Sequence, residues 1–213
     1  MDYVNKNFAI LKDKTFVRSL VFSFLAFFVA IIVNYFAAAY ANKMASSSVT
    51  DVFLSNIPAF DVNILFAYGP ILFWIFIFIV LLKYKNRIPF AIYSIFLFII
   101  IRSIFITLTH LGPIPTQSAI THIDFISRFS AGNDFFFSGH TGLPFLMALV
   151  FWDRKSIRII CLLSSIFFGA IVLLGHYHYS IDVLSAFFIT YSIYKMAEVF
   201  FKKEKNFFNL IKS

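Results

Sequence analysis

A single cysteine in 213 residues cannot build a disulfide framework. Cys161 lies inside an apolar run, where it reads as packing. Charge is scarce too: charged residues make up 13% of the chain against 61% hydrophobic, too little polar surface for a soluble fold of this size. Aromatic residues, at 21%, are far more abundant than in a disordered chain. No internal repeat and no low-complexity linker is evident, so a solenoid or an inverted-repeat transporter is not indicated. What the chain has in quantity is apolar length, and it reads as an integral membrane protein.

A hydrocarbon core about 30 Å thick takes about 20 helical residues. Six runs approach or reach that length between charged or turn residues: 20–41, 64–82, 88–108, 135–152, 157–174 and 181–201. In hydrocarbon each should be a helix, because no other unclosed structure satisfies its own backbone there. The expectation is an all-α, six-span membrane domain occupying residues 1–213 as one unit, its fourth span being the least strongly marked. The first run ends in Ala39-Tyr40-Ala41, which looks like a signal-cleavage site, but its length and long leader favour an uncleaved anchor. The 32 phenylalanines read as lipid-facing and interhelical bulk.

The basic residues set the orientation. Lys6, Lys12, Lys14 and Arg18 precede span 1; Lys83, Lys85 and Arg87 separate spans 2 and 3; Arg154, Lys155 and Arg158 separate spans 4 and 5; Lys195, Lys202, Lys203, Lys205 and Lys212 close the chain. Only Lys43 and Arg128 fall on the other side, and Arg102 lies within span 3. Both termini are therefore expected in the cytoplasm. The net charge of +8 is then a topology signal and a complement to anionic lipid, with no need of nucleic acid as partner. A bacterial inner membrane with a periplasm-facing site fits the compact chain, and a lumen-facing eukaryotic membrane fits the same charges. Oligomeric state leaves no mark in the sequence.

The remaining polar groups converge on the non-cytoplasmic face. Arg102 lies toward the outer end of span 3, Asn133 to Gly142 opens span 4, and Gly175 to Asp182 joins spans 5 and 6. Ionisable groups in a membrane are costly, so such a gathering marks a functional site. His178 and Asp182 are four apart at a helix start, on one face and within reach of each other. A carboxylate on one imidazole nitrogen fixes the tautomer and makes the other more nucleophilic. His140 follows Ser138-Gly139 at another helix mouth, where free N–H groups and the helix dipole favour an anion such as phosphate. Arg102 adds a permanent, bidentate cation. These parts suit phosphoryl transfer, one histidine attacking phosphorus and the other protonating the departing oxygen. Asp134, Ser138, Gly139, Thr141, His176 and Tyr179 are candidates for holding the substrate. Plainer readings stand beside these: Asp134 as a helix cap, Arg102 snorkelling to the interface, Ser138, Gly139 and Thr141 as helix-opening residues, and His176 as structural. His110, His122, Asp124 and Arg128 read as loop surface. The motif explains the histidines without a metal, and no cofactor is expected.

Ser138-Gly139-His140-Thr141 followed by His178-Tyr179-Ser180-Ile181-Asp182-Val183 resembles the two catalytic motifs of the phosphatidic acid phosphatase type 2 superfamily, specifically its sphingomyelin synthase-related branch. Upstream, Arg102 to Pro113 looks like that branch's third-span motif, so the resemblance covers about half the chain, from Arg102 to Tyr194. It implies that His178 is the nucleophile, forming a phosphohistidine, with Asp182 as its activator and His140 as acid for the leaving group and then base for the acceptor. The lysine-arginine-proline motif of the ordinary phosphatases is absent: Lys83 to Pro89 has the wrong spacing and lies on the wrong side. Their arginine six residues before the second histidine is Val172 here. Both absences favour the synthase branch. Gly132-Asn133-Asp134 stands where the synthases carry Cys-Gly-Asp, and their proline-rich first motif is not evident, so head group and acceptor stay open.

The expected reaction moves a phosphocholine or phosphoethanolamine head group from a phospholipid donor to a lipid-hydroxyl acceptor, ceramide or diacylglycerol. A hydrolase of the lipid phosphate phosphatase or phospholipase C type would use the same triad. A non-catalytic transporter or scramblase is the alternative of another class.

Overall fold

The computed structural model describes residues 10–116 and 136–211 of the chain. Its helices follow the apolar runs: α1 (Lys14–Met44), α2 (Asn63–Lys83), α3 (Ile88–Leu108), α4 (Gly139–Val150), α5 (Lys155–Leu174) and α6 (Ser180–Phe200), with a short α7 (Lys202–Asn206) after them. No strand lies among the described residues. Asp13 starts α1 by accepting from Thr15 and Phe16 N–H at 2.7 and 3.3 Å, the usual way an N-cap side chain satisfies orphan donors. The helix then runs 31 residues, about 46 Å, beyond the expected 20–41 at both ends.

Five helices, α1, α2, α3 (with the preceding turn), α5 and α6, are long and apolar enough to cross a membrane. The fourth run departs from expectation, since α4 has 12 residues, about 18 Å at 1.5 Å per residue. By length alone it does not span. Its placement explains why so short a helix is apolar all round: it packs against α3, α5 and α6, and Leu146, Met147 and Ala148 are wholly buried, as expected of an enclosed helix. The outer helices show the opposite pattern, with Phe36 on α1 66% exposed and Leu72 on α2 68% exposed. Such broad apolar faces belong against lipid rather than water. Cys161 is buried and unpaired by disulfide.

The two ends of the bundle differ in chemistry. At one end gather the start of α1, the α2–α3 and α4–α5 turns and the tail of α6. Arg87 there is buried and holds Asp153 through two hydrogen bonds of 2.7 and 2.6 Å, with a third to the Val150 carbonyl. The Ser19 hydroxyl donates to Glu204 at 2.5 Å, and Asn86 donates to the Phe207 carbonyl. The basic flanks of the helices lie on this side.

The other end is tied by backbone. Ser46 N–H donates to the His110 carbonyl, Gly112 N–H to the Ser47 carbonyl and Phe60 N–H to the Leu174 carbonyl. Any side chain at Gly112 would start within 2.2 Å of the Ser46 carbonyl oxygen, so the close crossing of these two segments requires glycine. His110, expected at the loop surface, is half-buried and meets the Tyr40 ring edge-on at 5.8 Å between centroids. His122, Asp124 and Arg128 lie outside the described residues.

Candidate active site

The two histidine motifs are joined through main chain. Ser138 N–H donates to the Asp182 carbonyl at 3.0 Å, which fixes the start of α4 against the first turn of α6. Ser138 is the N-cap of α4 in extended conformation, and among the described residues no side chain caps that helix. The first intrahelical donor is Gly142, bonded to the Ser138 carbonyl at 2.9 Å. The N–H groups of Gly139, His140 and Thr141 thus make up the open first turn, the part of a helix suited to an anion. Pro144, inside α4, has no N–H to give to the His140 carbonyl four residues earlier. Gly142 serves packing: a Cβ there would lie 2.7 Å from the Phe98 ring and 2.8 Å from the Thr190 hydroxyl.

On α6, the Asp182 carboxylate does two things with one oxygen. Oδ2 lies 3.3 Å from His178 Nδ1 and accepts from Tyr179 N–H at 3.1 Å. The second contact is the reach-back of a third-position acid to the N-cap, so helix start and imidazole are held by the same group. Asp182 is fully buried and His178 nearly so.

His140 is half-buried in the first turn of α4. Its ring stacks on Phe66 of α2, centroids 4.5 Å apart and planes 24° apart, and it lies within electrostatic range of both His178 and Arg102. Phe66 is backed by Tyr177 at 4.2 Å, whose hydroxyl bonds Asn63 Oδ1 at 2.6 Å. Arg102 is buried and turns into the bundle, its Nε donating to the Phe137 carbonyl at 3.3 Å. It does not snorkel. A Cβ on Gly139 would sit 3.9 Å from that Nε, so Arg102 lies beside the mouth of α4.

The structure therefore brings His140, His178, Asp182, Arg102, Ser138 and Gly139 together. The Ser138 and Thr141 hydroxyls are buried without a hydrogen-bond partner among the described residues, and the Thr141 carbonyl accepts from Ser165 at 2.7 Å. His176 is buried, with Nδ1 2.6 Å from the Thr116 hydroxyl and Nε2 unpartnered. Tyr179 goes elsewhere: its buried hydroxyl donates to the Gly112 carbonyl at 2.9 Å and accepts from Val49 N–H at 3.3 Å, pinning the outer segments to α6. Asp134 lies outside the described residues. Among the described residues the non-glycine positions with positive φ are Phe136, Phe137 and His176, at 146°, 26° and 55°. All three adjoin the histidine motifs, and such conformations persist only where surrounding structure enforces them. No group of three or more metal-ligating side chains occurs among the described residues.

Sequence reasoning missed two contributors. Phe66 orients His140, yet nothing marks it among 32 phenylalanines except its place one turn beyond the polar Asn63. Asp51, in the segment between α1 and α2, accepts from both N–H and hydroxyl of Ser180 at 2.7 and 2.9 Å, and from Phe53 and Leu54 N–H. Burial pushes the Asp51 carboxyl up, but these bonds outweigh it and hold it below the usual carboxylate range. A carboxyl so lowered contributes stability fully above its unfolded value of about 3.9, and the contribution is lost as pH falls through the folded value. Asp51→Ala is expected to cost about 1 kcal/mol, as for the loss of a helix cap. The corresponding drop in thermal midpoint should vanish when variant and native protein are compared at acid pH.

Residues 132–199, less than half of the chain, match the family model described as PAP2 superfamily C-terminal. The match takes in both histidine motifs and supports the PAP2 superfamily, whose members are generally phosphatases and phosphotransferases. Arg102 lies upstream of it. No curated protein and no solved structure matches the chain.

Proposed function

We propose that this protein is a membrane lipid phosphotransferase of the sphingomyelin synthase kind. It would move a phosphocholine or phosphoethanolamine head group from a glycerophospholipid to the hydroxyl of ceramide or diacylglycerol. The observation that carries the reading is the buried His178–Asp182 pair at 3.3 Å, locked by the Ser138–Asp182 backbone bond to the helix mouth that bears His140.

Asp182 on Nδ1 turns Nε2 of His178 away from the carboxylate and toward phosphorus. Nε2 attacks, the phosphorus–oxygen bond to glycerol breaks, and His140 gives its proton to the departing oxygen, releasing diacylglycerol. The acceptor hydroxyl then gives its proton to His140 and attacks phosphorus, breaking the phosphorus–nitrogen bond. The α4 N–H groups and Arg102 stabilise the charge on the phosphoryl oxygens in both steps. Arg102→Lys keeps the charge but loses the planar fork, so a fall of about 10²-fold in kcat/KM is expected, with thermal stability little changed.

In this reading the chain crosses the membrane six times with both termini cytoplasmic. The fourth crossing combines the short α4 with irregular backbone at Phe136 to Ser138. Phe137 and Ser138 are fully buried, and irregular backbone is tolerated at membrane depth where protein covers it.

The test is purified protein in lipid micelles with head-group-labelled phosphatidylcholine or phosphatidylethanolamine, with and without ceramide or diacylglycerol, beside His178→Ala. Label in a new lipid only when acceptor is present supports the reading. Free head group regardless of acceptor makes the protein a hydrolase, and no His178-dependent product points to a non-catalytic lipid transporter.

A further inference from the structure

Beside the site, the outer halves of α5 and α6 part to leave a cavity of about 400 Å³, roofed by the segment that follows α1. Ile166, Ala170 and Leu173 form one wall, Val183 and Phe187 the other, and Ile57 belongs to the roof. No polar side chain lines it. The volume lies in the range of ligand sites, about 300–1,000 Å³, but a head group would find no hydrogen-bond partner here. Hydrocarbon would lose nothing.

Three observations say what covers this groove. Its mouth opens among apolar side chains that face outward, Ile166 being 61% and Phe53 53% exposed, so in a bilayer the surrounding medium is lipid tails. Its floor adjoins the site: Gly169 lines the groove, and a Cβ there would meet Val183 at 3.1 Å and the Thr141 hydroxyl at 3.3 Å. Its upper end is Leu174, two residues before His176, and its far wall begins at Val183, next to Asp182. The stretch of α5 from Ile166 to Leu174 is about 12 Å long, enough for the upper part of an extended chain.

We propose that this groove seats one acyl chain of the lipid substrate, its ester end at Leu174, so that the phosphate arrives level with His176 and His178. The assignment rests on the lipid-phosphotransferase reading for the identity of the lipid, but the groove would bind a chain whether or not turnover follows. It makes Gly169 a spacer between chain and catalytic helix, and Ala170 a determinant of chain length.

The experiment uses the full chain in lipid nanodiscs containing phosphatidylethanolamine with a mid-chain diazirine, irradiated and mapped by peptide mass spectrometry. Labelling should concentrate on residues 166–174 and 53–57. It should fall at least about fivefold in Ala170→Trp, whose indole fills space worth several methylenes, and persist in His178→Ala. Ile57→Trp, from the roof, should act alike and guards against a folding defect peculiar to α5. Labelling as dense on the exposed faces of α1 and α2 as in the groove, or unchanged by both tryptophans in protein of native thermal stability, overturns the proposal. Because labelling needs no turnover, a failed transferase assay leaves it intact, and a failed labelling result leaves the transferase reading intact.

Discussion

His178→Ala is expected to lower the proposed head-group transfer by about 10⁴-fold or more, the scale seen when a covalent nucleophile is removed. The His178 imidazole has Nδ1 on the buried Asp182 carboxylate, and among the described residues no other side chain in the site pairs a nucleophilic atom with a buried carboxylate. In the proposed mechanism its removal deletes the intermediate, so the two-step route closes and only binding and charge stabilisation remain. Folding should survive, because α4 is joined to α6 by the Ser138–Asp182 backbone bond and α6 is capped by the Asp182 carboxylate on Tyr179 N–H, neither of which uses the His178 side chain. The check is transfer of labelled head group against protein whose thermal midpoint has been measured in the same micelles. Loss of activity with retained stability is the expected pair of results.

Asp182→Asn should cost about 10²–10⁴-fold in kcat while leaving the structure in place. The amide keeps the shape of the carboxylate and its oxygen can still accept from Tyr179 N–H, preserving the cap of α6. Placed where Oδ2 stands, that oxygen also accepts from His178 Nδ1–H, but it carries no negative charge, so the imidazole loses the carboxylate that would make its other nitrogen nucleophilic. Asp182→Ala removes both functions, and by the usual value of a lost cap should destabilise the protein by about 1 kcal/mol more than the asparagine variant. Comparing the two variants separates the catalytic role of this residue from its capping role, since only the alanine change should lower the thermal midpoint appreciably.

How much of this was legible beforehand depends on whether the contact is local. His178 and Asp182 were readable as a pair because four residues at a helix start is a fixed geometry, and the structure has them at 3.3 Å. The helix mouth before His140 was readable from Ser138-Gly139, which opens α4 as Ser138 N-cap and Gly139 first residue. What joins the two motifs is a backbone bond between residues 44 apart in sequence, and backbone atoms leave no residue-type signal. The same holds for Tyr179, whose place in the motif suggested a ligand contact while its hydroxyl is spent on the Gly112 carbonyl and the Val49 N–H. Run 135–152 is apolar apart from Ser138, His140 and Thr141, yet among its described residues only Gly139–Val150 is α-helical. Hydropathy reports that a segment is buried, not what conformation it takes, and an enclosed short helix and a lipid-exposed long one look alike by that measure. Phe66 could not be singled out because an aromatic ring under an imidazole has the same composition as one against lipid.

In the proposed mechanism His178 becomes covalently phosphorylated by its lipid. The most direct measurement is to mix the protein with phosphatidylcholine or phosphatidylethanolamine labelled in the head group, without acceptor, quench at alkaline pH and locate the label by peptide mass spectrometry. The account predicts an acid-labile adduct on His178 that disappears when ceramide or diacylglycerol is added, with labelled product formed in equal amount. Acceptor-dependent transfer with no label on His178, or with the label on His140 instead, would contradict it.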